Sequence, residues 1–435
     1  MNKNAIRYAG GLLLALALVV SAALPVQAKD PIRIGVIYDL TGPLAGAGSV
    51  PASVGTQIAI DMVNERGGVE GHKIVAVNGD AQSKPDIAIN EAERLLNSEK
   101  VDILAGIYSS AQAVPLSGKV DAQKKFFWIN VAISSAVFKD KNLKYVFRAQ
   151  VHSDQMGETS TDFLAANAKS KLGMNVKDLR VAIIHEDGPY GSGVAAANTR
   201  GAEKHGMKIV LSEGYALSAP DLSSLVIKLK RAKPDVILHT GYNPDITLLL
   251  RQAKELGLRF KALIGHGAGY GQIDKLVATF GKDVDHIFNV DPVAAQLLDP
   301  KTLKPGVGDL AAEFLKRYTA KTGANEAPPH ASMGFNHTWL LLNNVLPQAI
   351  KKYGGFDADA LRKAALDVDI PEGGTIQGYG VKFAGPGHQM AGQNLRAGPV
   401  VMQYVGGKIF IAHPKSIATI DAVLPLPSSS PYAVR

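Results

Sequence analysis

The chain has 435 residues, a formal charge of +8 and no cysteine. Disulfides, a thiolate nucleophile, cysteine-ligated metal and a cysteine-linked lipid are thereby excluded. With 46% hydrophobic and 20% charged residues it has the balance of a folded chain, and at roughly 100–200 residues per domain its length predicts two or more lobes.

Lys3 and Arg7 precede an apolar run from Gly11 to Ala23, and Val26-Gln27-Ala28 supplies a small-x-small cleavage signal. The run is shorter than the roughly 20 residues that span a bilayer. A secretory signal peptide over residues 1–28 is therefore expected, cut after Ala28, leaving 407 residues with charge +6. Export sets nucleic acid aside, and the scattered basic residues read as solvated helix faces.

Short apolar runs bounded by turn residues follow: Ile32–Asp39, Lys73–Asp80, Val101–Tyr108 and Phe126–Ile133 form one block of expected strands. Leu179–His185, Lys208–Ser212, Asp235–Thr240 and Leu263–His266 form a second. Helical spacing lies between them, as in Leu222, Leu225, Val226, Leu229 and Ile246, Leu249, Leu250, Ala253. Strands interleaved with such helices predict an α/β fold with parallel sheets covered on both faces. The break at Tyr145–Gln155 predicts two doubly wound lobes rather than one sheet. Helices are expected near Gly308–Lys321, Ala331–Tyr353 and Asp357–Leu366, a hairpin at Val400–Tyr404 and Lys408–Ile411, and a loose tail from Pro425 to Arg435.

Ligands of open α/β sheets collect at the carboxyl ends of strands. Tyr108-Ser109-Ser110 stands there, ahead of a helix whose first N–H groups lack partners and carry partial positive charge. Ala132-Ile133-Ser134 repeats the arrangement after the next strand. One serine alone reads as an ordinary helix cap; two converging strand ends read as an anion site.

An ordered series of words then resembles the type I periplasmic binding proteins, in particular the branched-chain-amino-acid group of ABC-transporter receptors. These are Gly35 with Thr41-Gly42-Pro43, Asn64-Glu65-Arg66-Gly67-Gly68, Tyr108-Ser109-Ser110, Tyr190-Gly191-x-Gly193, Gly241-Tyr242-Asn243-Pro244 and Leu250-Arg251-Gln252-Ala253. The resemblance implies a monomeric periplasmic receptor whose lobes, joined by three crossovers, close on a small molecule and deliver it to a membrane permease. It places the crossovers near Val146–Val151, His286–Pro292 and Gly373–Gly380. Residues 29–149 and 288–375 would form lobe one, 150–287 and 376–424 lobe two, and 425–435 the tail.

By the same resemblance Ser110, Ala132 and Ser134 hold the ligand carboxylate, and Tyr190 and Tyr242 face it from lobe two. The glutamate that resembling receptors use for the ammonium is replaced by Gly267, beside His266, and an aromatic in the turn after Pro43 is replaced by Ala47. A desolvated ammonium needs a partner, so these losses imply a hydrophobic or aromatic carboxylate bulkier than leucine. If an amino acid binds instead, Glu186 or Asp187 is the first substitute acid to consider. His266 is the histidine placed to meet the ligand. No metal or cofactor is implied, and Gly191-x-Gly193 stands too far beyond its strand for a dinucleotide turn. A secreted esterase would pair His266-Gly267-Ala268-Gly269 with a Gly-x-Ser-x-Gly elbow, which the chain lacks, whereas a ligand sensor fits the same words.

Overall fold

The computed structural model describes residues 29–434, the side chains of Ala47 and Ile273 excepted. The expected leader, and the expectation attached to Ala47's side chain, lie outside the described residues.

The first unit runs β1 (Lys29–Tyr38), α1 (Ser49–Glu65), β2 (His72–Asp80), α2 (Pro85–Glu93), β3 (Ile103–Gly106), α3 (Ser110–Ala122), β4 (Phe126–Ile129) and β5 (Val146–Arg148). Its sheet is parallel, ordered β2-β1-β3-β4-β5. Ile32, Ile34, Val36 and Tyr38 of β1 enter one core and Ile37 the opposite one, so the strand is apolar almost continuously.

The second unit follows with α4 (Ser153–Asn167), β6 (Arg180–Glu186), α5 (Pro189–His205), β7 (Lys208–Tyr215), α6 (Ser223–Ala232), β8 (Val236–Thr240), α7 (Asn243–Glu255), β9 (Ala262–His266), α8 (Ile273–Phe280) and β10 (Phe288–Asp291). The chain then adds α9 (Val307–Thr322), α10 (Pro329–Leu340), α11 (Leu346–Tyr353) and α12 (Ala358–Asp367) to the first unit, and the short pair β11 (Asp369–Ile370) and β12 (Val381–Lys382). Helix α10 lies so close on α1 that a Cβ at Gly334 would sit 1.9 Å from the Ala52 carbonyl oxygen, and one at Gly55 2.1 Å from that of Ala331. Only glycine permits this approach. The hairpin β13 (Val400–Val405) and β14 (Lys408–His413) completes the second sheet, ordered β14-β13-β10-β9-β8-β6-β7 and antiparallel only at the hairpin.

The expected α/β architecture with parallel sheets is present, but three boundaries differ from expectation. Phe288–Asp291 is not a crossover: as β10 it pairs with β9 and β13 in the second sheet, so the return to the first unit begins after Asp291. Residues 376 to about 397 stay with the first unit: Arg148 N donates to the Gly392 carbonyl, and Asn394 N to that of Arg148. The last crossover therefore falls just before β13 rather than at Gly373–Gly380. The tail is not loose. Tyr432 is fully buried, its ring stacked on Phe260 at 5.5 Å and its hydroxyl donating to the Leu250 carbonyl at 3.0 Å.

Candidate ligand site between the two units

Strand ends from both sheets converge on a small cavity of about 30 Å³ between the two units. The first unit contributes Tyr108, Ser110, Val131, Ile133, His330 and Met333, and the second Met156, Tyr190, Tyr242, Gly267, Ala268 and Asp291. Three tyrosine rings bridge the gap: Tyr242 stands 5.9 Å from Tyr108 and 5.1 Å from Tyr190, centroid to centroid. Burial raises all three hydroxyls well above the ordinary tyrosine range, so each remains a hydrogen-bond donor.

On the first unit's wall, Ser110 opens α3 and Ser109 is its N-cap, in extended conformation. Ser110 Oγ accepts from Ser134 N at 3.1 Å, which leaves its own proton for a ligand. Ser134 Oγ accepts from Ala136 N at 3.2 Å, and Ser134 and Ala132 stand behind the cavity lining rather than in it. Their carbonyls accept from Arg148 Nη1, both at 2.9 Å.

On the facing wall Tyr190 donates to the His266 carbonyl. The His266 ring itself faces away: Nδ1 bonds Thr240 Oγ1 at 2.9 Å, Nε2 bonds Ser160 Oγ at 3.3 Å, and burial pulls its pKa down to about 4. The histidine that lines the cavity is His330, packed edge-on to Tyr108 at 5.5 Å and held neutral, its pKa about 4, by burial. Sequence reasoning favoured His266 because it sits in the strand-end word; alternation along β9 turns its ring into the sheet's packing instead. Glu186 does not serve as the substitute acid. Its two oxygens accept from Gly188 N at 2.6 Å and Gly191 N at 2.5 Å, capping α5, while Asp187 is exposed.

Asp291 places a carboxyl beside Gly267. Gly267 has φ +44°, and a Cβ built on it would lie 3.2 Å from Asp291 Oδ1 and 3.4 Å from the Tyr190 hydroxyl oxygen. The carboxyl on β10 therefore borders the space that a side chain on the neighbouring strand end would enter. Asp291 is 2% exposed, and its Oδ2 has no hydrogen-bond partner among the described residues. Burial holds the group well above the usual carboxylate range, an effect that Asn289 offsets only in part. The expectation that this wall lacks an acid is thus overturned. In sequence Asp291 merely ends Ile287-Phe288-Asn289-Val290, and its place at the cavity follows from β10 pairing with β9.

Beneath this wall, Asp245 Oδ1 accepts from Tyr242 N at 2.8 Å and Oδ2 from the Tyr215 hydroxyl at 2.5 Å. Among the described residues no three histidine, aspartate or glutamate side chains stand together as metal ligands.

The sequence pattern described as periplasmic binding protein matches residues 31–401. The chain belongs to this family. Over 414 residues, covering 95% of this chain and 99% of the relative, it is 34% identical to Leu/Ile/Val-binding protein homolog 7 of Brucella abortus. Homolog 8 of the same organism is 32% identical over 403 residues, 93% of this chain and 95% of the relative. Among solved structures, the leucine-binding protein LivK of Thermotoga maritima superposes with TM-score 0.72 at 22% identity, covering 87% of this chain and 97% of that one. The LivJ substrate-binding protein of Streptococcus pneumoniae, in complex with isoleucine, gives TM-score 0.70 at 19% identity over 87% of this chain and 97% of its own. Periplasmic binding proteins of this branched-chain type are receptors rather than enzymes.

Proposed function

We propose that this periplasmic binding protein is the receptor of an ABC importer for a hydrophobic α-amino acid, held with its carboxylate on the first unit and its ammonium on the second. Asp291 carries the reading: a buried carboxyl with an unpartnered oxygen is costly until a cation arrives, and an ammonium is the cation that fits beside it. Opposite, Ser110 and the start of α3 offer donors to a carboxylate. Val131, Ile133, Met156 and Met333 leave an apolar space for the side chain. Such a ligand touches both units, the condition for it to favour a closed hinge and so present a distinct shape to a permease.

The ammonium-free aromatic acid is the second reading, favoured by the three tyrosine rings around the cavity. It requires Asp291 to stay protonated. Calorimetry with leucine, isoleucine, valine and phenylalanine against 4-methylpentanoate and cinnamate separates the two. The amino acids should bind at least about tenfold more tightly than the acids that lack the ammonium, a gap of about 1.4 kcal/mol. Tighter binding of cinnamate or 4-methylpentanoate would reverse the assignment.

A further inference from the structure

Arg148 ends β5 wholly buried, its guanidinium lying over the Phe138 ring at 5.0 Å. Nη1 holds the carbonyls of Ala132 and Ser134, and Nε donates to Gln393 Oε1 at 2.7 Å. Nη2 has no partner among the described residues. None of the atoms that contact the guanidinium through hydrogen bonds belongs to a carboxylate, and burial draws its pKa down to about 9. The carboxylate whose field reaches it, Asp154, makes no hydrogen bond to it and is paired with Arg200, so further negative charge nearby is favourable.

The loop that Arg148 grips forms the wall of the cavity. The peptide bearing the Ala132 carbonyl also bears the Ile133 N–H, and Ile133 lines the cavity. That N–H has no partner among the described residues. Donation from a guanidinium to one end of a peptide polarises it and strengthens the N–H at the other end as a donor. The rest of the loop is fixed across the hinge: Ser135 N donates to Ser153 Oγ at 3.0 Å, and Ser153 N to the Ile133 carbonyl at 2.9 Å, at the start of α4. Gln393 continues the chain of contacts to the Gln150 carbonyl.

We propose that Arg148 is a positioning and specificity-determining residue, the buried cation behind the 132–134 loop that makes this wall select a carboxylate over the corresponding neutral amide. The proposal rests on the reading that the ligand's carboxylate lies on the first unit. Arg148 acts through the peptides it holds and through its charge, without lining the cavity itself.

The test measures leucine and leucinamide by calorimetry on the full chain and on Arg148→Gln and Arg148→Lys, each first shown to melt cooperatively. Both probes keep the ammonium, so the contact with Asp291 is common to them. In wild type leucine should bind at least about tenfold more tightly, and Arg148→Gln should shrink that ratio by about tenfold, the effect of removing one nearby charge at intermediate dielectric. Arg148→Lys, which keeps the charge without the fork, should retain most of the ratio while weakening both ligands. A folded Gln variant that weakens both probes equally would show a packing role only and overturn the proposal. If the Gln variant does not fold, a folded Lys variant that has lost the ratio overturns it and one that keeps the ratio supports it. A wild-type chain with no preference for leucine over leucinamide would bring down the reading of the wall itself, which is a separate failure.

Discussion

The two walls of the cavity are built by opposite means. The first unit presents backbone N–H groups and a serine to the cavity, with the Arg148 guanidinium a layer behind. The second places a carboxyl, Asp291, directly at the cavity, among tyrosine rings and hydroxyls. A wall of amides suits an anion, because several fixed dipoles share the charge without rearranging; a cation needs an anionic acceptor of its own. The difference explains why serine motifs betray one half of the site in sequence while the other half rests on a single aspartate.

The largest expected effect falls on that aspartate. Asp291→Asn should weaken leucine by about 100-fold or more, since it strands a desolvated ammonium at a cost of about 3–5 kcal/mol, while leaving 4-methylpentanoate nearly unaffected. The empty protein should become no less stable. Asp291 has its folded pKa raised, so its contribution is favourable only at acid pH and is lost as pH rises, and the neutral amide removes that penalty. Equal loss for leucine and 4-methylpentanoate would erase the contrast between the walls. Ser110→Ala should cost less, about 1.5–3 kcal/mol for any carboxylate ligand, because helix α3's first amides and Ile133 remain. Unchanged affinity would take this serine out of the site.

A third experiment should show no asymmetry at all. His330 and His337 in the first unit, and His239 and His266 in the second, are buried neutral, with pKa values pulled down to about 4, or about 3 for His239, chiefly by desolvation. A depressed pKa contributes stability that is present above the unfolded value near 6.5 and is lost as pH falls toward 4. The melting temperature of the ligand-free protein should therefore drop steadily between pH 6.5 and 4 in one transition. Two separate transitions would mean that one unit holds its histidines differently.

The alternating strands and helices, and Tyr108 and Ser110 at a strand end, were legible because each depends on local periodicity and turn chemistry, whereas Tyr190 and Tyr242 were reached only through the family resemblance. Asp291 was not legible, since its meaning depends on β10 lying beside β9, a long-range pairing that no local pattern announces. The stretch from Gly373 to Gly398 carries no period to follow, so its attachment to β5 was invisible. Tyr432 looked like part of a Pro/Ser-rich end because its partners, Phe260 and Leu250, stand far back in the chain.

That attachment bears on how the protein is made. The outer edge of β5 is covered only when Gln393 and Asn394 return to it, and the Asn394 side chain reaches the Ala149 carbonyl across 245 residues of sequence. Until then the five-stranded sheet presents an unpaired strand edge, open to any other extended segment. A chain cut before Gln393 would leave that edge open for good, and pairing edge to edge with a second copy is the outcome expected of it.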